Sequence, residues 1–347
     1  MLNKFQQDNR KESKISKLTT NFFDKIEYGV SYRTLKLYLE LGLTLKKVHR
    51  VIKYKQKPIM SEYIEKNTLL RKQSKNDFEK DFFKLLNNAI FGKSMENVRN
   101  RINFRLIDNE KSFNRITSNI KKITEFGDDE EIEMLGVHLL KKETLLNKPI
   151  FLGQCILDQS KHLMYDFHYN FMLKQFKRED IDLLFTDTDS LCYNIRNKNP
   201  YDVFLQYKDK FDNSQYPENH KMYDSTNDKT CGKFKNEAVK KGKVYDINEF
   251  IGLRSKVYAY KVFDGKEDKR CKGVKKSVCK KNICFNDYYN TNFTKENFNI
   301  KQNGFRSYKH QIYTETVSKI GLSCYDDKVY ICDNMINTYS LGHYKTR

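Results

Sequence analysis

The run DLLFTDTDSLCYNI, Asp182 to Ile195, constrains this chain more than any other stretch. Its apolar segments Leu183–Phe185 and Leu191–Tyr193 flank a Thr-Asp-Thr-Asp-Ser centre, the pattern of a β-hairpin with carboxylates at its tip. Asp187 and Asp189, two apart at such a tip, project into one small volume, and two carboxylates held together repel unless a divalent cation or water compensates them. The same residues are also ordinary turn chemistry, so both readings stand on this run alone.

The rest of the chain supplies enough material for a folded protein. Its 347 residues allow two or three compact units or one elaborate one, and a 38% hydrophobic fraction with 23 Tyr and 24 Phe is too apolar for a disordered tail. No stretch approaches the roughly 20 apolar residues of a membrane span, and the opening MLNKFQQDNRKESKISK lacks the apolar centre of a signal peptide, so no membrane partner is expected. The eight cysteines include no C-x-x-C pair, and Cys279 and Cys284 have no neighbouring Cys or His pair to complete a zinc site, which suits a reduced intracellular compartment. Sixty-five Lys+Arg against 45 Asp+Glu give a net charge of +20, a field that favours polyanions. The excess of Lys, Asn, Ile, Tyr and Phe, with no Trp and only four Pro, is also what AT-rich codon usage produces.

Local signals order the first half. The first ~20 residues are polar and basic and read as frayed surface chain. Ser31 caps a helix through YRTLKLYLEL, with Leu35, Tyr38 and Leu39 on one side and Gly42 as its stop. VHRVIKYK reads as a strand from Val48 to Tyr54, closed by Pro58. A helix pair follows from Ser61 to about Asn100, the second helix capped by Asn76. On its wheel Phe78, Phe82, Leu85, Leu86 and Ala89 form an expected core face, with Lys84, Asn88 and Phe91 roughly opposite. Residues 101–147 mix alternating runs with the acidic loop GDDEEIE. The segment from Lys148 to Phe176 reads as a short strand and a long helix, and strand signals recur at CGKFKNEA and EFIGLRSKVYAYKVF. His162, Asp166 and His168 fall on that long helix; the two histidines are six apart on poorly matching faces and read as scaffold.

Three ordered motifs carry a family resemblance. KLLNNAIFGK (Lys84–Lys93) resembles the fingers motif K-x3-N-S-x-Y-G of family B DNA polymerases, FTDTDS (Phe185–Ser190) their palm motif Y-x-D-T-D-S, and RSKVY, with Lys256 and Tyr258, their K-x-Y motif. Longer segments, including LKLYLELGLTLKKVHRVIK, LMYDFHYNFM and CKGVKKSV, are similar to the protein-primed organellar and viral branch, and within it to polymerases of Polinton or Maverick transposons. The implied fold is α+β: a right-hand palm of antiparallel sheet with helices, helical fingers and a thumb remnant. The implied plan is 1–58 as the end of an insert before the fingers, 59–100 fingers helices, 101–150 a palm insertion, 151–262 palm and 263–347 thumb and C-terminal region.

The implied activity is transfer of dNTPs to a primer 3′-hydroxyl on a DNA primer-template, with two Mg²⁺ ions about 3.5–4 Å apart. Asp187 and Asp189 match the catalytic, metal-holding palm pair. Lys84, Asn88 and Phe91 match the nucleotide-binding face of the fingers, and Arg254, Lys256 and Tyr258 the primer-backbone contacts. Lys272, Lys275 and Lys276 would extend that basic track. Phe91 stands where the family has Tyr and Ala89 where it has Ser, so the hydroxyls are gone while the ring remains. A priming terminal protein is a further implied partner, and a nuclear or viral setting suits such an element.

The family's remaining carboxylate motif, D-x-x-S-L-Y-P, is not found upstream of Lys84; DNSQYP (Asp212–Pro217) is one residue short and out of order. The resemblance therefore implies a C-terminal portion lacking that motif and the exonuclease domain. Losing one ligand of a unit removes most of the rate, ~10³-fold or more. The alternative function is an inactive nucleic-acid-binding remnant of a mobile element. RNA-directed synthesis is weakened by Asp-Thr-Asp-Ser, where reverse transcriptases carry an aromatic-x-Asp-Asp turn.

Overall fold

The computed structural model describes residues 2–10, 16–116, 119–128, 131–196, 198–240, 242–308 and 311–346. It is a mixed α/β structure of small antiparallel sheets and helices, and among the described residues no helix is long and apolar enough to cross a membrane. The chain divides into a larger unit (1–29, 163–304 and 314–347) and a smaller one (30–162 and 305–313).

A short helix, α1 (Lys4–Asp8), belongs to the larger unit. Within the stretch expected to fray, Asn3 and Gln6 are pinned. The Gln6 side chain is fully buried, donating to the Asp326 and Val329 carbonyls and accepting from Ile331 N–H, and the Asn3 amide reaches the Ile331 carbonyl. One amide that satisfies three backbone groups specifies this docking better than polarity suggests.

The smaller unit opens with α2 (Tyr32–Glu40), capped by Ser31 as expected. Its buried residues are Thr34 and Leu37 rather than the expected stripe, because Thr34 Oγ1 donates to the buried Asp158 carboxylate at 2.9 Å, as does Ser31 N–H at 3.1 Å. The expected strand over Val48–Tyr54 does not form, and residues 43–58 carry no regular structure. The helix pair is α3 (Ser61–Gln73) and α4 (Asp77–Ser94); Asn76 caps α4, with Glu79 bonding back to it. Its expected core face is not buried: Phe78 is 80% exposed and Leu85 63%. The face against α3 instead carries Asn87, whose amide points to Thr68 Oγ1 at 3.5 Å.

Next come β1 (Asn103–Ile107), α5 (Glu110–Asn114), β2 (Ile120–Asp128) and β3 (Glu131–Leu139). They form an antiparallel sheet in the order β1-β3-β2 over Ile107, Val137 and Leu139, so the acidic segment is the end of a hairpin, with residues 129–130 outside the described residues. The expected short strand before the long helix is absent, and α6 (Ile150–Tyr165) starts directly. Gly153 lies against the end of α4, where a Cβ would overlap the Met95 side chain. Glu96, held by Arg101 at 2.8 Å, Lys148 at 3.3 Å and Lys93 at 3.7 Å, fastens the same corner, and those cations hold its carboxyl down to about 2.

In the larger unit α6 continues through a π-helical stretch (Asp166–Met172) into a last turn, α7 (Leu173–Gln175). Phe167, Phe171 and Met172 of that stretch join Phe176, Ile181, Val203 and Phe211 in one core. The hairpin β4 (Ile181–Thr186) and β5 (Leu191–Ile195) packs on it, followed by α8 (Pro200–Gln206) and a small ladder of β6 (Val239–Lys240) and β7 (Lys243–Val244). CGKFKNEA holds only one isolated bridge, Phe234 to Phe211. A three-stranded antiparallel sheet is built from β8 (Ile247–Arg254), β9 (Val257–Val262) and β10 (Glu267–Cys271). Around its core of Leu253, Val257 and Tyr288 lie α9 (Lys276–Asn282), α10 (Phe285–Thr294), the hairpin β11 (Phe298–Tyr308) with β12 (Gln311–Leu322), and the pair β13 (Val329–Ile331) with β14 (Thr338–Ser340).

Candidate functional site

The Asp-Thr-Asp-Ser run forms the hairpin tip that its flanking apolar residues imply. Asp187 and Ser190 close it by reciprocal backbone bonds of 3.1 and 3.2 Å, leaving Thr188 and Asp189 as a two-residue loop. Thr188 takes a left-handed φ of 60°, which turns the loop in the hand that hairpins favour. The Asp187 carboxylate accepts from Thr188 Oγ1 at 3.3 Å and pairs with Lys256 Nζ at 3.2 Å. Among the described residues the exposed Asp189 carboxylate makes no hydrogen bond or ion pair.

Lys256 reaches Asp187 from a second tight turn. Arg254 pairs with Val257 across β8 and β9, leaving Ser255 and Lys256 as the loop, and Lys256 has φ 61°. This corrects the expectation that Lys256 and Tyr258 share one strand face: the lysine is in the turn and only the tyrosine is on β9. Tyr258 nevertheless faces the same hairpin. Its ring stacks on Phe185 at 4.5 Å between centroids and 20° between planes, and Phe250 of β8 stacks on Phe185 at 5.8 Å. Burial pushes the Tyr258 phenol above its ordinary range. Three rings thus hold the base of one turn against the base of the other, which fixes the Asp187–Lys256 approach more firmly than a half-exposed ion pair does.

Basic groups cluster beside this turn. Lys272 N–H donates to the Lys256 carbonyl at 3.1 Å, tying the start of the β10–α9 connection to the Lys256 turn. Arg254, Lys272, Lys275 and Lys276 are exposed, and Lys319 Nζ donates to the Gly273 carbonyl at 2.7 Å.

On the far side of the hairpin, His168 of the π-helical stretch sets Nδ1 2.9 Å from the Tyr193 hydroxyl, with its ring stacked on that tyrosine. Burial, with Arg178 second, lowers the His168 pKa from its ordinary 6.5. Sequence reading treated His168 as scaffold, and its tie to Tyr193 depends on the π-helical turn, which no periodicity signals. The Ser-Lys turn was detectable, since it sits between two alternating apolar runs.

Lys84, Asn88 and Phe91 lie on α4 of the smaller unit as an exposed stripe one and two turns apart. Among the described residues the Lys84 ammonium has no partner, whereas Lys80 on the same helix pairs with Asp77 and Lys93 with Glu96. Asp212, in the rejected DNSQYP match, is buried and saturated: its carboxylate accepts from Ser214 N–H, Ser214 Oγ and Lys229 N–H, a loop-forming role.

Among the described residues no group of three or more His, Cys, Asp or Glu could hold a metal ion. Asp187 and Asp189 are hard oxygen donors, and Mg²⁺ commonly takes one or two carboxylates with water and substrate phosphates completing its shell, so the pair fits that ion in donor type. No known protein family, curated protein or solved structure matches this chain.

Proposed function

We propose that this chain is a DNA-directed DNA polymerase of the family B kind, in which the β4–β5 hairpin serves as the palm tip and α4 as a fingers helix. One observation carries the reading. Two motifs recognised separately in sequence, Asp-Thr-Asp-Ser and Lys-x-Tyr, meet in the fold, with Lys256 Nζ 3.2 Å from Asp187 and Tyr258 stacked on Phe185. Carboxylates beside a cation-bearing turn support a reading in which the tip handles a phosphodiester terminus.

In this reading Asp187 and Asp189 hold Mg²⁺, which when bound stabilises charge on the attacking and leaving oxygens. Lys256 balances Asp187 and, with Arg254 and Tyr258, holds the primer backbone. Lys84 and Asn88 meet the dNTP triphosphate, Lys84 as a point cation, and Phe91 packs beside the nascent base pair. DNA primer-template, dNTPs and a priming terminal protein are the partners of this reading.

A second reading, binding without turnover, draws on the Asp187–Lys256 pair, which leaves Asp189 the one unengaged carboxylate at the tip. Primer extension by the chain with Mg²⁺ and dNTPs separates the two. Slow extension by the chain, its rate already cut by the missing upstream carboxylate, that is abolished in Asp189→Asn supports the polymerase. Duplex binding with no extension in either protein rejects it in favour of the second reading.

A further inference from the structure

The segment between α2 and α3 has a composition and an exposure that no internal packing explains. From Leu41 to Met60 it carries Lys46, Lys47, Arg50, Lys53, Lys55 and Lys57, with His49, and no acidic residue, so six charges of the +20 surplus lie in twenty residues. Every residue from Gly42 to Met60 is exposed. Val51 is 77% exposed and Ile52 75%, and Leu43, Val48 and Tyr54 are more than half exposed. These are strand-forming side chains, yet residues 43–58 form no strand. The Tyr54 hydroxyl lies 3.1 Å from Cys155 Sγ, and half of the residue's surface faces solvent.

We propose that residues 43–58 are a strap that binds single-stranded nucleic acid. The cations neutralise backbone phosphates, and the Tyr54 ring offers a face on which a base stacks. A single strand fits better than a duplex, because groove reading requires a rigid helix or ribbon and this segment is neither. It fits better than a lipid surface, because membrane-lying segments separate apolar and charged faces on a helix. Here Val48, Val51, Ile52 and Tyr54 are interleaved along the chain with Lys47, Arg50, Lys53 and Lys55. The strap uses neither Asp187 nor Asp189, so it goes beyond the polymerase reading and stands or falls separately from it.

The test is fluorescence anisotropy of the whole chain with a labelled oligothymidylate across a salt series. The strap variant carries Lys53→Gln, Lys55→Gln and Lys57→Gln. A matched variant carries Lys235→Gln, Lys240→Gln and Lys243→Gln, the same charge change at other exposed lysines. The strap variant should bind at least about tenfold more weakly at low salt, and the slope of log K against log salt should shrink by about 2, near 0.7 per lost phosphate contact. The matched variant should keep most of both. Equal losses in the two variants would reduce the effect to net charge and overturn the proposal, as would an unchanged slope in the strap variant. Stronger strap-dependent binding to phosphatidylserine vesicles or to polyglutamate than to the oligonucleotide would also overturn it. An oligoadenylate RNA run in parallel tells whether the strand is DNA, RNA or either, and Asp189→Asn should bind like the unsubstituted chain whether or not extension is seen.

Discussion

The Asp187–Ser190 tip and the Lys84–Phe91 stripe both present charged and polar groups beside an aromatic ring, but their side chains are held by different means. At the tip, two turns far apart in sequence converge because Phe185, Tyr258 and Phe250 stack beneath them, and Asp187 is paired with Lys256. On α4 the three residues share a face only because helical spacing places them there, and Lys84 has no partner among the described residues. The tip is thus a product of tertiary packing and the stripe of local structure. Substitutions that leave charge untouched should disturb the first and not the second.

The largest effect is expected where the rings are removed. Tyr258→Ala takes away the closest ring over Phe185 and leaves a gap under both turns, which should cost about 2–4 kcal/mol, as large aromatic truncations do. Denaturant unfolding measures it. Tyr258→Phe should stay within about 1 kcal/mol, because among the described residues the hydroxyl makes no hydrogen bond. A loss below about 0.5 kcal/mol for the alanine variant would mean that the turns converge without the stack, and the contrast with α4 would be gone.

A smaller, pH-dependent effect tests the far side of the same hairpin. His168 has a folded pKa below 6.5, so above that value the imidazole is neutral in folded and unfolded chains and adds no pH dependence. Below it the unfolded chain takes up a proton that the folded one resists, and stability falls as the pH drops toward the lowered folded value. Midpoints at pH 7.5 and 5.5 should therefore differ more in the unsubstituted protein than in His168→Gln. Equal differences would show that burial does not hold the proton affinity of the ring down in the folded chain.

Particular residues show what sequence could and could not reveal. The caps Ser31 and Asn76 and the Asp187–Ser190 hairpin were legible because each depends on neighbours within four residues. Val48–Tyr54 has strand composition but no strand, since a strand needs a partner edge that composition cannot supply. Phe78 and Leu85 have core periodicity but lie exposed, because α4 packs on α3 through Asn87 and Thr68. Gln6 looked like part of a frayed terminus and is buried by three backbone groups more than 300 residues away. The approach of Lys256 to Asp187 needed the turn at Ser255, and the role of Tyr258 needed the stack.

The smallest stability effect is expected on α4, where it sharpens the comparison most. Lys84→Ala and Asn88→Ala remove exposed side chains with no buried contact, and alanine is at least as good a helix former as lysine or asparagine. Each variant should stay within about 0.5 kcal/mol of the unsubstituted chain in denaturant unfolding. A residue whose removal costs the fold nothing is free to serve a ligand, so under the polymerase reading the same substitutions should still weaken dNTP binding. A large loss of stability in Lys84→Ala would show that the ammonium is engaged within the fold, and α4 would then join the tip as a packed structure rather than stand against it as an open one.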